Sequence, residues 1–151
     1  LRRALAGGRE AAAIGEPIMT REGGCFCGAL RYTVTGEPKY SSHCHCLHCR
    51  KTSAAAFVTW TTFPAAAFAW THGKPASLAS RPGVTRSFCP SCGTPLTFEA
   101  ADDPAVVDVT TCSLDDPESV VPRDHVFASR MLSWAELKKD LPRFAAGRKN
   151  G

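Results

Sequence analysis

The sequence predicts a mainly β domain with short helices and clustered cysteines. Three observations carry that expectation. Short strand-like runs recur between residues 30 and 111, clusters of turn residues separate them, and seven of the eight cysteines fall in three tight groups. At 151 residues and 16.2 kDa the chain is long enough for one domain with a real core and too short for two.

Residues 1–18 are rich in Ala, Gly and Arg, and Gly7, Gly8 and Gly15 interrupt any helix, so this stretch reads as a flexible extension. Met19 opens the first strongly patterned segment and reads as a natural start. The domain then runs over 19–145, and residues 146–151 read as a flexible tail. Strand-like runs occupy 30–35, 57–63, 68–71, 85–88, 95–99 and 106–111. Turns are expected at Pro38, Pro64, Gly73-Lys74-Pro75, Pro82-Gly83 and Asp102-Asp103-Pro104. A helical turn is expected over 50–56. A second helix, over 134–140, is signalled by Ser133-Trp134-Ala135-Glu136, a capping box in which hydroxyl and carboxylate satisfy each other's backbone N–H, and Pro142 stops it.

The cysteine groups are Cys25-Phe26-Cys27, Cys44-His45-Cys46-Leu47-His48-Cys49 and Cys89-Pro90-Ser91-Cys92. Thiolates one or two residues apart can grip a tetrahedral ion, whereas a disulfide between such neighbours would close a very small, strained ring. Counting ligands separates a four-thiolate set, Cys25 and Cys27 with Cys89 and Cys92, from a local three-thiolate set, Cys44, Cys46 and Cys49. The first suits a structural zinc. Gly28 and Gly93 follow the second cysteine of each pair, where a knuckle turn needs positive φ and close backbone approach to sulfur. The second set lacks a fourth ligand: either His43, His45 or His48 completes a structural site, or the position stays open for chemistry. Two Zn²⁺ per chain are expected.

Cys112 remains outside both sets and reads as a small buried residue at a strand end. Arg50 and Lys51 lie close in sequence to the open position and could hold a substrate carboxylate, as Arg31, Arg86 and Arg130 could from elsewhere. His125 is open between a structural and a site role. Asp102-Asp103 and Asp115-Asp116 read as turn or cap residues. No phosphate loop, G-x-S-x-G or H-E-x-x-H is present, so any chemistry lives on the metal.

The formal charge is +4, but seven thiolates and two Zn²⁺ together contribute −3, leaving about +1. That near-neutral balance, without a Lys-rich patch, argues against nucleic acid as a partner. No apolar run approaches the roughly 20 residues needed to span a bilayer, so no membrane partner is expected. Metal-spaced thiols and the lack of an apolar leader point to the cytoplasm.

Three ordered motifs then carry a resemblance: 24–32 around Cys25 and Cys27, 44–51 around the local cysteines, and 88–94 around Cys89 and Cys92, with Leu114-Asp115-Asp116-Pro117, Trp134 and Leu141-Pro142 following. Over about residues 22–144 the chain resembles the glutathione-dependent formaldehyde-activating enzyme family, also called the centromere-protein-V/GFA domain. The resemblance implies an Mss4-like fold of small antiparallel sheets pinned by zinc, with Cys25, Cys27, Cys89 and Cys92 around a structural zinc and Cys44, Cys46 and Cys49 around a catalytic one. It implies a carbon–sulfur lyase-type activity like that of S-(hydroxymethyl)glutathione synthase, joining or cleaving formaldehyde and glutathione or a similar carbonyl and thiol. The alternative is a non-catalytic zinc-stabilised binding module or thiol sensor.

Overall fold

The computed structural model describes residues 19–135 and is mainly β, as the strand-like runs predict. The extension 1–18, the tail 146–151 and most of the expected helix over 134–140 lie outside the described residues; Ser133 and Trp134 occupy a turn.

β1 (Thr20–Gly24), β2 (Arg31–Thr35) and β5 (Phe68–His72) form an antiparallel three-stranded sheet in the order β1-β2-β5. Tyr32 and Val34 alternate inward along β2 and are fully buried, with Phe68 stacked on Tyr32 at 5.2 Å and Trp70 edge-on at 6.0 Å. The second sheet holds β3 (Tyr40–Cys44), β4 (Val58–Pro64), β6 (Ala76–Arg81), β7 (Val84–Phe88), β8 (Pro95–Ala100), β9 (Val106–Thr110) and β10 (Asp124–Val126). Its order is β10-β3-β4-β9-β8-β7-β6, antiparallel except for the β10–β3 edge. Pro64, expected as a turn, is the last residue of β4 opposite Val106; the turn follows it as a short 3₁₀ segment, Ala65–Ala67.

The two sheets share a core of Leu30, Tyr32, Val34, Phe63, Leu96, Val107, Val109, Leu114 and Val120. β4 is central and nearly all buried, so its polar residues need internal partners. Thr61 Oγ1 lies 2.7 Å from Thr111 Oγ1, and the Ser41 hydroxyl donates to the Trp60 carbonyl at 3.0 Å. These bonds let serine and threonine occupy an interior that aliphatic side chains would otherwise fill.

The one α-helix among the described residues, α1 (Leu47–Ser53), begins three residues before the expected 50–56. Its N-cap is Cys46, whose sulfur accepts the Cys49 N–H at 3.3 Å, a capping role that a search for Ser, Thr, Asp or Asn does not find. Ala54 closes the helix in left-handed backbone, φ 50°.

In an antiparallel ladder, directly paired residues share a face. Thr62 pairs with Asp108, Asp108 with Phe98, Phe98 with Arg86, and Arg86 with Leu78, so a single row crosses five strands. Trp60 lies two residues from Thr62, and Cys44, paired with Val58, lies two further on. Hence Cys44, Trp60, Asp108, Phe98 and Arg86 all stand on one face of the larger sheet.

Candidate metal centres and their cavity

Cys25 and Cys27 sit in the turn between β1 and β2, and Cys89 and Cys92 in the turn between β7 and β8. Each turn is a knuckle. Gly28 N–H donates to the Cys25 carbonyl at 3.1 Å and Gly93 N–H to the Cys89 carbonyl at 2.9 Å. Both glycines have positive φ, 77° and 76°, as the turn demands. A Cβ at either would meet nothing within 4 Å, so the backbone angle, and not close approach to sulfur, selects glycine.

The four sulfurs lie within 4.8 Å of one another, with Cys25–Cys27 at 3.6 Å and Cys27–Cys89 at 3.8 Å. A tetrahedron of Zn–S bonds of about 2.3 Å has edges of roughly 3.8 Å, so this set fits a tetrahedral metal, and a thiolate set suits zinc. Leu30 N–H donates to Cys25 Sγ at 3.2 Å, and Thr94 Oγ1 lies 3.1 Å from Cys92 Sγ. Burial pushes Cys25 up, but the Leu30 N–H and the adjacent Cys89 and Cys27 thiols outweigh it and lower the thiol. The Thr94 hydroxyl and N–H bring Cys92 down to about 5. At Cys27 the Ala29 N–H pulls downward, while Cys92 and Cys25 push harder and raise it to about 11.

Cys44 ends β3, Cys46 caps α1 and Cys49 lies in its first turn, so β3, cap and helix deliver three sulfurs within 4.8 Å of one another. Among the described residues no histidine nitrogen joins this group. His43 turns to Thr59 Oγ1, 2.8 Å from its Nδ1, and His45 Nε2 pairs with His125 Nδ1 at 2.9 Å. Thus His125, ambiguous in sequence, partners a buried imidazole. His48 stands exposed at the rim. The Cys44 thiol, with help from the Trp60 indole N–H and Arg86, draws Cys49 down to about 5, while Cys44 itself is pushed up by Cys49 and by burial.

These three cysteines border a cavity of about 390 Å³. Trp60 Nε1 donates to Cys49 Sγ at 3.4 Å and Arg86 to the same sulfur at 3.6 Å. The Arg86 guanidinium also lies over the rings of Phe98 and Trp60, at 4.8 and 5.8 Å from their centroids. Asp108, Arg81, Val126 and Phe127 also line the cavity. Phe127 holds left-handed backbone, φ 54°, an uncommon conformation for a bulky residue and a small local strain.

Of the basic residues considered from sequence, Arg86 reaches this cavity and Arg50, Lys51 and Arg130 do not line it. Arg31 is engaged elsewhere: its guanidinium grips both carboxylate oxygens of Asp115, one at 2.8 Å, and lies 3.5 Å from Glu22. Asp115 is therefore an ion-pair partner as well as a turn residue. Cys112, expected to be buried, is exposed in the 3₁₀ segment Thr111–Ser113, because the strand ends one residue earlier and the chain turns outward. Sequence reasoning missed Trp60, Phe98 and Asp108. Asp108 carried a signal, since an acid inside the apolar run Val106-Val107-Asp108-Val109 needs a reason to be there.

Among the described residues no helix is long and apolar enough to cross a membrane. Compared with curated proteins, the chain finds no match. A crystal structure of a Rhodobacter sphaeroides protein is similar in fold, with a TM-score of 0.53 at 19% identity, covering 69% of this chain and 98% of that one. The sequence profile described as "Glutathione-dependent formaldehyde-activating enzyme" matches residues 20–130, most of the chain and all seven clustered cysteines. On that match the chain belongs to the glutathione-dependent formaldehyde-activating enzyme family.

Proposed function

We propose that this protein is a zinc-dependent carbon–sulfur lyase-type enzyme that joins or cleaves a small carbonyl and a thiol, glutathione being the natural first candidate. Cys25, Cys27, Cys89 and Cys92 hold a structural Zn²⁺ and Cys44, Cys46 and Cys49 a second one. The observation that carries the reading is the three-cysteine group itself: it has no fourth protein ligand among the described residues and borders a cavity of about 390 Å³. A closed structural site would have four ligands and no such opening.

Bound there, zinc supplies Lewis-acid polarisation of a carbonyl or stabilisation of a thiolate. The chain's own residues do the rest. Trp60 and Arg86 donate to Cys49 Sγ and hold that sulfur's position and charge. Arg86 and Arg81 offer cations to a substrate carboxylate, and Phe98 and Trp60 form apolar walls that limit water. The cavity is of the size small-molecule sites have.

The test is calorimetric titration of the zinc-loaded protein with glutathione, followed by NMR exchange measurements on ¹³C-formaldehyde and glutathione. Binding and faster exchange than in buffer are expected, with Cys46→Ala losing the acceleration and keeping the fold. Binding without acceleration would replace the enzyme by a thiol sensor. Neither binding nor acceleration would end both readings.

A further inference from the structure

Joining a thiol to an aldehyde moves a proton. The S–H bond breaks, a C–S bond forms to the carbonyl carbon, and the carbonyl π pair becomes the oxygen lone pair that must be protonated. No outside oxidant or reductant is needed, but a group that accepts the first proton and supplies the second speeds both directions. Among the cavity-lining residues, the cysteines are committed as metal ligands, and the guanidiniums of Arg81 and Arg86 are hydrogen-bond donors with no acceptor site for a proton. Asp108 and His48 remain.

Asp108 is built into the sheet where a carboxylate is hard to explain structurally. Its neighbours Val107 and Val109 point into the core, and its own side chain emerges half-buried on the cysteine face. One oxygen accepts the Thr62 hydroxyl, and no Arg or Lys lies within 4.0 Å of it among the described residues. Asparagine would satisfy Thr62 equally well without burying a charge. Burial pushes Asp108 above the usual carboxylate range; the charges of Cys49 and Asp103 add to the rise, while the Thr62 hydroxyl and Arg86 oppose it. The direction favours proton exchange nearer neutral pH.

Building on the carbon–sulfur reading above, we infer that Asp108 is the catalytic acid–base of this cavity, taking the thiol proton as the thiol binds and giving it to the carbonyl oxygen as the C–S bond forms. The residue ends each turnover in its starting state. In cleavage the same steps run backwards, the hydroxyl giving its proton to Asp108 and the departing sulfur receiving it.

The experiment compares zinc-loaded wild type with Asp108→Asn, Thr62→Val and His48→Gln. Glutathione binding is followed by calorimetry in two buffers of different ionisation enthalpy, and formaldehyde–glutathione exchange by ¹³C NMR across pH. D108N is expected to keep zinc and glutathione affinity, to release about one proton more per glutathione bound, and to slow exchange by about 100-fold with its acidic limb lost. T62V, which removes the hydroxyl that lowers the carboxyl, should move that limb to higher pH, so the inference stays testable even where D108N does not fold. H48Q should leave it in place. Unchanged exchange and proton release in D108N, an unmoved limb in T62V, or loss of the limb in H48Q would overturn the role of Asp108 alone. A wild type that does not accelerate exchange would overturn the carbon–sulfur reading along with it.

Discussion

Alanine at position 73 is a direct probe of how the smaller sheet supports the four-cysteine cluster. Gly73 has φ 74°, and a Cβ there would lie 2.1 Å from the Ala29 carbonyl oxygen and 2.7 Å from Leu30 Cδ2. Left-handed backbone costs alanine about 1–2 kcal/mol. A backbone carbonyl cannot swing aside as a side chain can, so the Ala29–Leu30 segment must retreat by about 1 Å, adding about 1–3 kcal/mol as overpacking does. Gly36 supplies the comparison: its φ is 78°, but a Cβ would meet nothing within 4 Å, so Gly36→Ala carries only the backbone cost. At roughly 4 °C per kcal/mol for a domain of this size, G36A should lower Tm by about 4–8 °C and Gly73→Ala by about 8–20 °C. The retreating segment also carries the Leu30 N–H that reaches Cys25 Sγ at 3.2 Å. G73A should therefore surrender metal to a competing chelator faster than wild type, whereas G36A should not. Thermal denaturation and chelator competition on the metal-loaded proteins check both parts. Equal losses of Tm in the two variants, or unchanged metal release in G73A, would refute the reasoning.

Two further outcomes follow from the charges. In metal-free, reduced protein, iodoacetamide at about pH 6 should alkylate Cys92, held at about 5, well ahead of the more exposed Cys27, held at about 11, as read by mass spectrometry; Thr94→Val should narrow the gap, and equal labelling of the two thiols in the parent would contradict the assignment. The Arg31 guanidinium keeps Asp115 below the usual carboxylate range, so the pair's stabilisation is complete above the unfolded carboxylate pKa of about 4 and fades as pH falls through the lower folded value. Asp115→Asn should accordingly destabilise more at about pH 6 than at about pH 2, modestly because both side chains are partly exposed, and a pH-independent difference in denaturant midpoint would count against the pair.

The cysteine sets were legible because their chemistry is local: C-x-C, C-x-x-C and C-x-C-x-x-C fix which sulfurs can meet before any tertiary structure exists. The runs that became β2, β4, β5, β7, β8 and β9 were legible because they mix β-branched and aromatic residues between turns. β3 was not, since Tyr40-Ser41-Ser42-His43-Cys44 is polar; its place comes from Ser41 bonding to Trp60 and Thr61 across β4, a contact that exists only once the strands pair. β6 and β10 are mostly exposed edge strands with little apolar pattern to read. The cavity was the least legible part. Arg86 and Asp108 are 22 positions apart and become neighbours only through the register that places Phe98 between them.

β10 has a consequence for how this site can diversify. It has three residues, all exposed, is bonded on one side only to β3, and leads directly into the strained Phe127. Val126 and Phe127 nevertheless form a wall of the cavity, and the Val126 carbonyl accepts the His45 N–H beside the cysteines at 3.1 Å. That wall of the cavity thus belongs to a short edge, while the sulfurs stand on β3, which pairs on both sides, and on the capped first turn of α1. Residues there can be exchanged, lengthened or locally opened with little disturbance of the shared core. The mouth and size of the cavity are therefore adjustable separately from the cysteine cluster, which gives one scaffold room to present pockets of different shapes.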